Sequence, residues 1–146
     1  MVLDLGCGPG FFTLDMAHMV GETGRVIASD LQEGMLQKLK QKIKGATLEN
    51  RITLNQCKES NIGLTETVDF IFAFYMVHEV LHPEAFFDEL FSILKPNGKV
   101  LIVEPAFHVS KRMFEKNLLK AQDAGFTPVE TPKILFSRSV LLVKLQ

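Results

Sequence analysis

Two stretches of this chain carry residue types at spacings that do chemistry. In the first, Asp4 stands inside an apolar run, and Gly6, Gly8 and Gly10 follow in the order Gly6-Cys7-Gly8-Pro9-Gly10. Glycine is needed where a chain turns sharply, or where main chain must touch a ligand with no Cβ between them. The GxGxG spacing differs from the dinucleotide fingerprint, whose third glycine falls one position later, where Phe11 stands. No Gly-Lys-Ser/Thr follows, so the Walker phosphate loop is absent. Asp30 comes twenty residues after Gly10, the distance at which a carboxylate accepts hydrogen bonds from ribose hydroxyls in nucleotide folds. The plainer alternatives are a tight turn without ligand for the glycines and a helix N-cap for Asp30. Asp4, a carboxylate among apolar residues, requires a hydrogen-bonding or cationic partner, and a ligand ammonium group is one.

The second stretch, His78-Glu79-Val80-Leu81-His82, matches the zinc-peptidase pattern H-E-x-x-H. That pattern needs a helix running through both imidazoles and beyond. Pro83 follows at once; it disfavours helix at His82 and clashes with a helical carbonyl at Glu79. These features argue against a zinc hydrolase, and no metal is expected. His78 remains the candidate general base, because imidazole titrates near neutrality. Glu79, Glu104 and His108 stand at neighbouring strand-end positions. A loop histidine with no chemical part is the alternative reading. Cys7 and Cys57 are too far apart in sequence to form a metal or redox motif.

The elements that must position these groups alternate in type. Apolar, β-rich runs cover Met1–Leu5, Arg25–Ser29 (closed by Asp30), Arg51–Asn55, Val68–Val77 and Lys99–Val103. Helical periodicity covers Phe11–Val20 and Glu33–Lys44, then a segment opened by Pro83 and another N-capped by Ser110. Phe126–Phe136 and Ser139–Leu145 read as two closing strands, antiparallel because only Ser137 and Arg138 link them. Strands alternating with helices predict a parallel α/β sheet between helix layers, with its ligand at the carboxyl ends of the strands.

With 146 residues, 47% hydrophobic, and a formal net charge of −1, the chain is expected to form one domain spanning 1–146. The balanced charge offers no footprint for nucleic acid. Two cysteines are too few for a disulfide scaffold and fit a reducing compartment. No apolar run reaches membrane-span length and no signal peptide is evident. A cytoplasmic location is expected.

Val2-Leu3-Asp4-Leu5-Gly6-Cys7-Gly8-Pro9-Gly10 resembles the first motif of class I S-adenosylmethionine-dependent methyltransferases, of the small-molecule type 11/25 kind. The likeness continues through Asp30, Val68-Asp69-Phe70 and Leu94-Lys95-Pro96-Asn97-Gly98. It implies a Rossmann-like, doubly wound, three-layer fold whose seven-stranded sheet is mostly parallel, with an antiparallel last strand. It also implies S-adenosyl-L-methionine as cofactor. Gly6, Gly8 and Gly10, with Cys7 between them, would line its methionine part, and Asp4 would stand near its amino group. Asp30 would hold the ribose, with Leu31 and Met35 against sugar and adenine and Phe74 beside the methionine portion. Many members carry an Asp after the third strand for the adenine amino group; Cys57 stands there, so backbone groups of Cys57 and Lys58 would serve.

The implied activity is in-line methyl transfer to a small-molecule acceptor, with neither nucleic acid nor membrane as partner. The family's usual helix ahead of the first strand is lacking. A sheet flank is therefore expected to be covered by a homodimer, by another partner, or by residues outside this sequence. A non-catalytic cofactor-binding sensor or partner subunit, and an NAD-binding Rossmann enzyme, are the competing readings.

Overall fold

The computed structural model describes all 146 residues. Eleven regular elements alternate along the chain: β1 (Val2–Leu5), α1 (Thr13–Met19), β2 (Val26–Asp30), α2 (Glu33–Ile43), β3 (Ile52–Gln56), β4 (Val68–Phe74), α3 (Pro83–Ile93), β5 (Leu94–Pro105), α4 (Lys111–Asp123), β6 (Phe126–Glu130) and β7 (Ser137–Lys144). The seven strands form one sheet in the order β3-β2-β1-β4-β5-β7-β6. β1 pairs in parallel with both β2 and β4, aligning Leu3 with Ile27 and Ile71. β7 runs antiparallel to β5 and β6 and is the one reversed strand. This is the Rossmann-like, doubly wound arrangement expected. The strand order reverses between β1 and β4, so the loops leaving these neighbours diverge and open a crevice.

The apolar side chains divide into two clusters. Leu36, Leu39 and Ile43 of α2 and Ala17 of α1 pack with Val26, Ala28 and Ile52. Phe87, Leu90 and Ile93 of α3 and Ala121 of α4 pack with Leu3, Ile71, Val100, Ile102 and Leu142. Both helices of each pair present apolar residues three and four apart, so one stripe of each is buried against the sheet. Pro83 occupies the first turn of α3, and the Ser110 hydroxyl accepts from the Met113 N–H at 3.1 Å to start α4. No helix is long and apolar enough to cross a membrane.

Three boundaries depart from the sequence reading. β4 ends at Phe74 because Tyr75 turns to φ +55° while its N–H still donates to the Val103 carbonyl at 2.7 Å. β5 begins earlier, at Leu94: Leu94 already pairs with Val68, and a register shift follows before Lys99 meets Phe70. The closing hairpin turns at 131–136, and Ser137 and Arg138 lie inside β7, opposite Pro105 and Glu104. Pro132 has no N–H to give a ladder, and Phe136 takes φ +56°, so the strand cannot continue through that segment.

Candidate functional site

A cavity of about 410 Å³ opens at the carboxyl ends of β1, β2 and β4, the crevice predicted by the strand order. Of the residues expected to hold the cofactor, Gly6, Asp30, Leu31, Cys57, Lys58 and Phe74 line it. Gly6 takes φ +73°, and a Cβ there would meet Met76 at 3.0 Å, so bare main chain forms this part of the wall.

Asp30 is organised by its surroundings. Its Oδ2 accepts from the Gly8 N–H at 2.9 Å and its Oδ1 from the Gln32 N–H at 2.8 Å. Gln32, not Asp30, is the N-cap of α2. A carboxylate has about four acceptor positions, so each oxygen keeps one for a ligand hydroxyl. The cavity volume falls within the range of small-molecule sites. A sugar diol on Asp30 and an amino-acid tail against Gly6 therefore fit the residues present.

The other expected residues stand behind this wall. Gly8 contributes its N–H to Asp30. Gly10 has φ +93°, and a Cβ would come within 2.5 Å of Leu39 Cδ1, so its missing side chain serves the packing of α2 against the loop. Asp4 is buried and accepts from the Thr13 hydroxyl at 2.6 Å, so the fold itself supplies the partner that the sequence demanded. Burial pushes its carboxyl up to about 6, against the lowering by Thr13, and the nearby Asp30 charge adds to the rise. Burial, helped by Asp4 and Asp30, pushes the Cys7 thiol up to about 12, so it stays protonated within the α2 cluster. Burial also raises the Cys57 thiol. Met35 is half-buried on α2.

The other side of the crevice follows β4. Val77–Glu79 forms a single 3-10 turn and α3 starts at Pro83, so the HEVLH imidazoles do not share an α-helix. His82 and Glu79 line the cavity, whereas His78 does not. Instead its ring lies beside the His108 ring, with centroids 4.9 Å apart, and its Nδ1 lies 2.8 Å from Glu104 Oε2.

Sequence reasoning missed two parts of the wall. Tyr75 lines the cavity with its ring stacked on Phe74, centroids 4.1 Å apart, and its hydroxyl 2.7 Å from Ser137 Oγ. Glu89 of α3 accepts from the Ile62 and Gly63 N–H groups at 2.7 and 3.2 Å, tying the loop after β3 to the cavity. Neither stands in a motif. A tyrosine ending an aromatic strand and a glutamate in an amphipathic helix look ordinary in one dimension.

The pattern of the family described as "Methyltransferase domain" matches residues 2–98. The demethylmenaquinone methyltransferase of Lactobacillus johnsonii is 34% identical over 103 residues, 70% of this chain and 42% of that protein. The ubiquinone/menaquinone biosynthesis C-methyltransferase UbiE of Salmonella arizonae is 32% identical over 124 residues, 84% of this chain and 47% of that protein. This chain thus spans a little under half the length of these curated relatives. Among solved structures, a SAM dependent methyltransferase from Aquifex aeolicus superimposes with a TM-score of 0.86 at 28% identity, covering 99% of this chain and 81% of that one.

Proposed function

This chain belongs to the class I S-adenosylmethionine-dependent methyltransferase family, and on that premise we propose that it transfers a methyl group from S-adenosylmethionine to a small-molecule acceptor. The relatives named for menaquinone and ubiquinone biosynthesis make an electron-rich ring carbon of a reduced quinone precursor the first acceptor to test. The observation that carries the reading is that the Asp30 carboxylate and the bare main chain of Gly6 face one cavity at the switch point of the sheet.

Asp30 would hold the ribose hydroxyls, Gly6 the methionine part, and Leu31 with the Cys57–Lys58 backbone the adenine. When bound, the cofactor supplies an activated methyl: its S–CH₃ bond breaks as the acceptor–CH₃ bond forms, and the electron pair stays on sulfur. What this chain adds is alignment and exclusion of water. Phe74 and Tyr75, both in the cavity wall with their rings stacked, offer flat apolar surface suited to a ring acceptor. His78 lies just outside this wall, with Nε2 3.9 Å from Oε1 of the cavity-lining Glu79, and is the group we assign to take the proton from an acceptor that must lose one.

Calorimetry with S-adenosylmethionine, its demethylated product and NAD tests the binding half. Tight binding of the first two is expected, with Asp30→Ala weakening both by about 10- to 100-fold through loss of a charge-assisted hydrogen-bond pair. Preference for NAD would overturn the reading. Transfer of labelled methyl to reduced demethylmenaquinone tests the chemical half. Cofactor binding with no transfer to this or any extracted acceptor would instead assign a sensor or partner subunit.

A further inference from the structure

Behind the β4 side of the cavity, and not part of its wall, lies a buried carboxylate that the cofactor does not need. Glu104, on β5, is 2% exposed, and all its donors come from one short stretch. Its Oε1 accepts from the Val77 N–H at 3.1 Å; its Oε2 accepts from the His78 N–H at 3.1 Å and lies 2.8 Å from His78 Nδ1. A carboxylate is acceptor-only, so the hydrogen of that last bond sits on Nδ1, and in the neutral form of the ring the lone pair is then on Nε2. The ring has two further neighbours. His108, from the link after β5, packs edge-on against it at 67°. Nε2 lies 3.9 Å from Oε1 of Glu79, a residue of the cavity wall.

We infer that Glu104 is a positioning residue that fixes His78 in the Nδ1–H tautomer, so that Nε2 is the atom taking the proton released by the methyl acceptor. The inference rests on the methyl-transfer reading above. The same carboxylate also holds the Val77 and His78 N–H groups, which the 3-10 turn leaves free at its start. One side chain thus sets both the position of the turn and the tautomer of the ring it carries. In the step, the acceptor's X–H or ring C–H loses its proton to Nε2. The resulting imidazolium donates from Nδ1 to Glu104 and faces Glu79 with Nε2–H, until water removes the proton. Glu104 itself does not touch the acceptor.

Two measurements test this. In protein labelled with ¹⁵N-histidine, free of cofactor and acceptor and at a pH where imidazole is neutral, long-range ¹H–¹⁵N correlation should show His78 with Nδ1 protonated and Nε2 bare. An Nε2–H tautomer would overturn the inference whatever the activity. With reduced demethylmenaquinone as acceptor, Glu104→Gln should lower kcat by about 10²-fold or more, the usual worth of a general base. Cofactor affinity should stay within about twofold, and the loss should not deepen when His78→Gln is added. An equal further loss in the His78→Gln background would overturn the inference, showing that Glu104 acts on the fold and not through the imidazole. If Glu104→Gln does not fold, His78→Gln alone, which leaves both backbone bonds to Glu104 in place, must show the same fall in kcat; unchanged turnover overturns the inference. Failure of the wild type to bind S-adenosylmethionine would sink the methyl-transfer reading and the proton-accepting role with it.

Discussion

Asp4 and Glu104 are carboxylates of similar burial, 3% and 2% exposed, set in β1 and β5, the strands that flank β4. Asp4 has one hydroxyl donor, from Thr13, and burial with the Asp30 charge leaves its carboxyl at about 6. Glu104 has three donors, all from Val77 and His78. The comparison separates two uses of a buried charge. With a single donor, desolvation outweighs the hydrogen bond, and the group responds to pH or to a cation brought near it. With three donors, the carboxylate is an anchor whose removal strands other polar groups. In the proposed function, the glycine loop beside Asp4 is the half that meets a ligand. The turn held by Glu104 is the half built to keep a geometry.

The largest effect that would break this contrast comes from the anchor. Glu104→Ala should cost about 3–5 kcal/mol in urea unfolding, since it opens a cavity and leaves the buried Val77 N–H and the part-buried His78 N–H unpaired. A loss below about 1 kcal/mol would show that water satisfies them and that the anchor is dispensable. Next, Gly10→Ala should destabilise by roughly 2–3 kcal/mol, because φ +93° strains an L-residue and the new Cβ meets Leu39 at 2.5 Å. Restoration by Leu39→Ala in the same chain, read as partial recovery of the midpoint, would locate the clash.

Asp4→Asn should act in the opposite direction. The native carboxyl titrates near 6 and the unfolded one near 3.8, so the folded state takes up a proton, as pH falls from 6 to 4, that the unfolded chain does not. The wild type therefore carries a penalty above pH 6 that is relieved toward pH 4. Asparagine should stabilise by about 1–3 kcal/mol at pH 7.5, with the difference vanishing near pH 4. A difference independent of pH would show that the Asp4 carboxyl is not raised. The smallest change calibrates the others. Ser110→Ala, at the start of α4 and outside the crevice, should cost about 1 kcal/mol for its lost N-cap and leave cofactor affinity unaltered.

How much of this was legible in one dimension follows from how local each cause is. The glycine loop, Asp30 and the alternation of strands and helices are short-range features, and their spacing was enough to place the crevice with Gly6 and Asp30 in its wall, while the family resemblance added Leu31, Cys57, Lys58 and Phe74. The proline after HEVLH was likewise enough to deny it an α-helix. By contrast, Gly10 gives no sequence sign that its empty side faces Leu39. Asp4 was expected to need a partner, yet nothing in the spacing named Thr13 as that partner. Tyr75 and Glu89 enter the cavity through a reversed backbone angle and a loop contact 26–27 residues away in the chain.

The sequence by itself determined the order and type of the elements, the strand-to-helix turn that bares main chain at Gly6, and the carboxylate at the end of β2, because these depend on residues within a few positions of each other. Only the tertiary structure decided which histidine nitrogen is held, and by what. β4 and β5 lie side by side in the sheet, and that pairing brings Glu104 within 3.1 Å of a turn 26 residues earlier. Hydrogen bonds are read at ångström range, and no spacing along a chain encodes that distance.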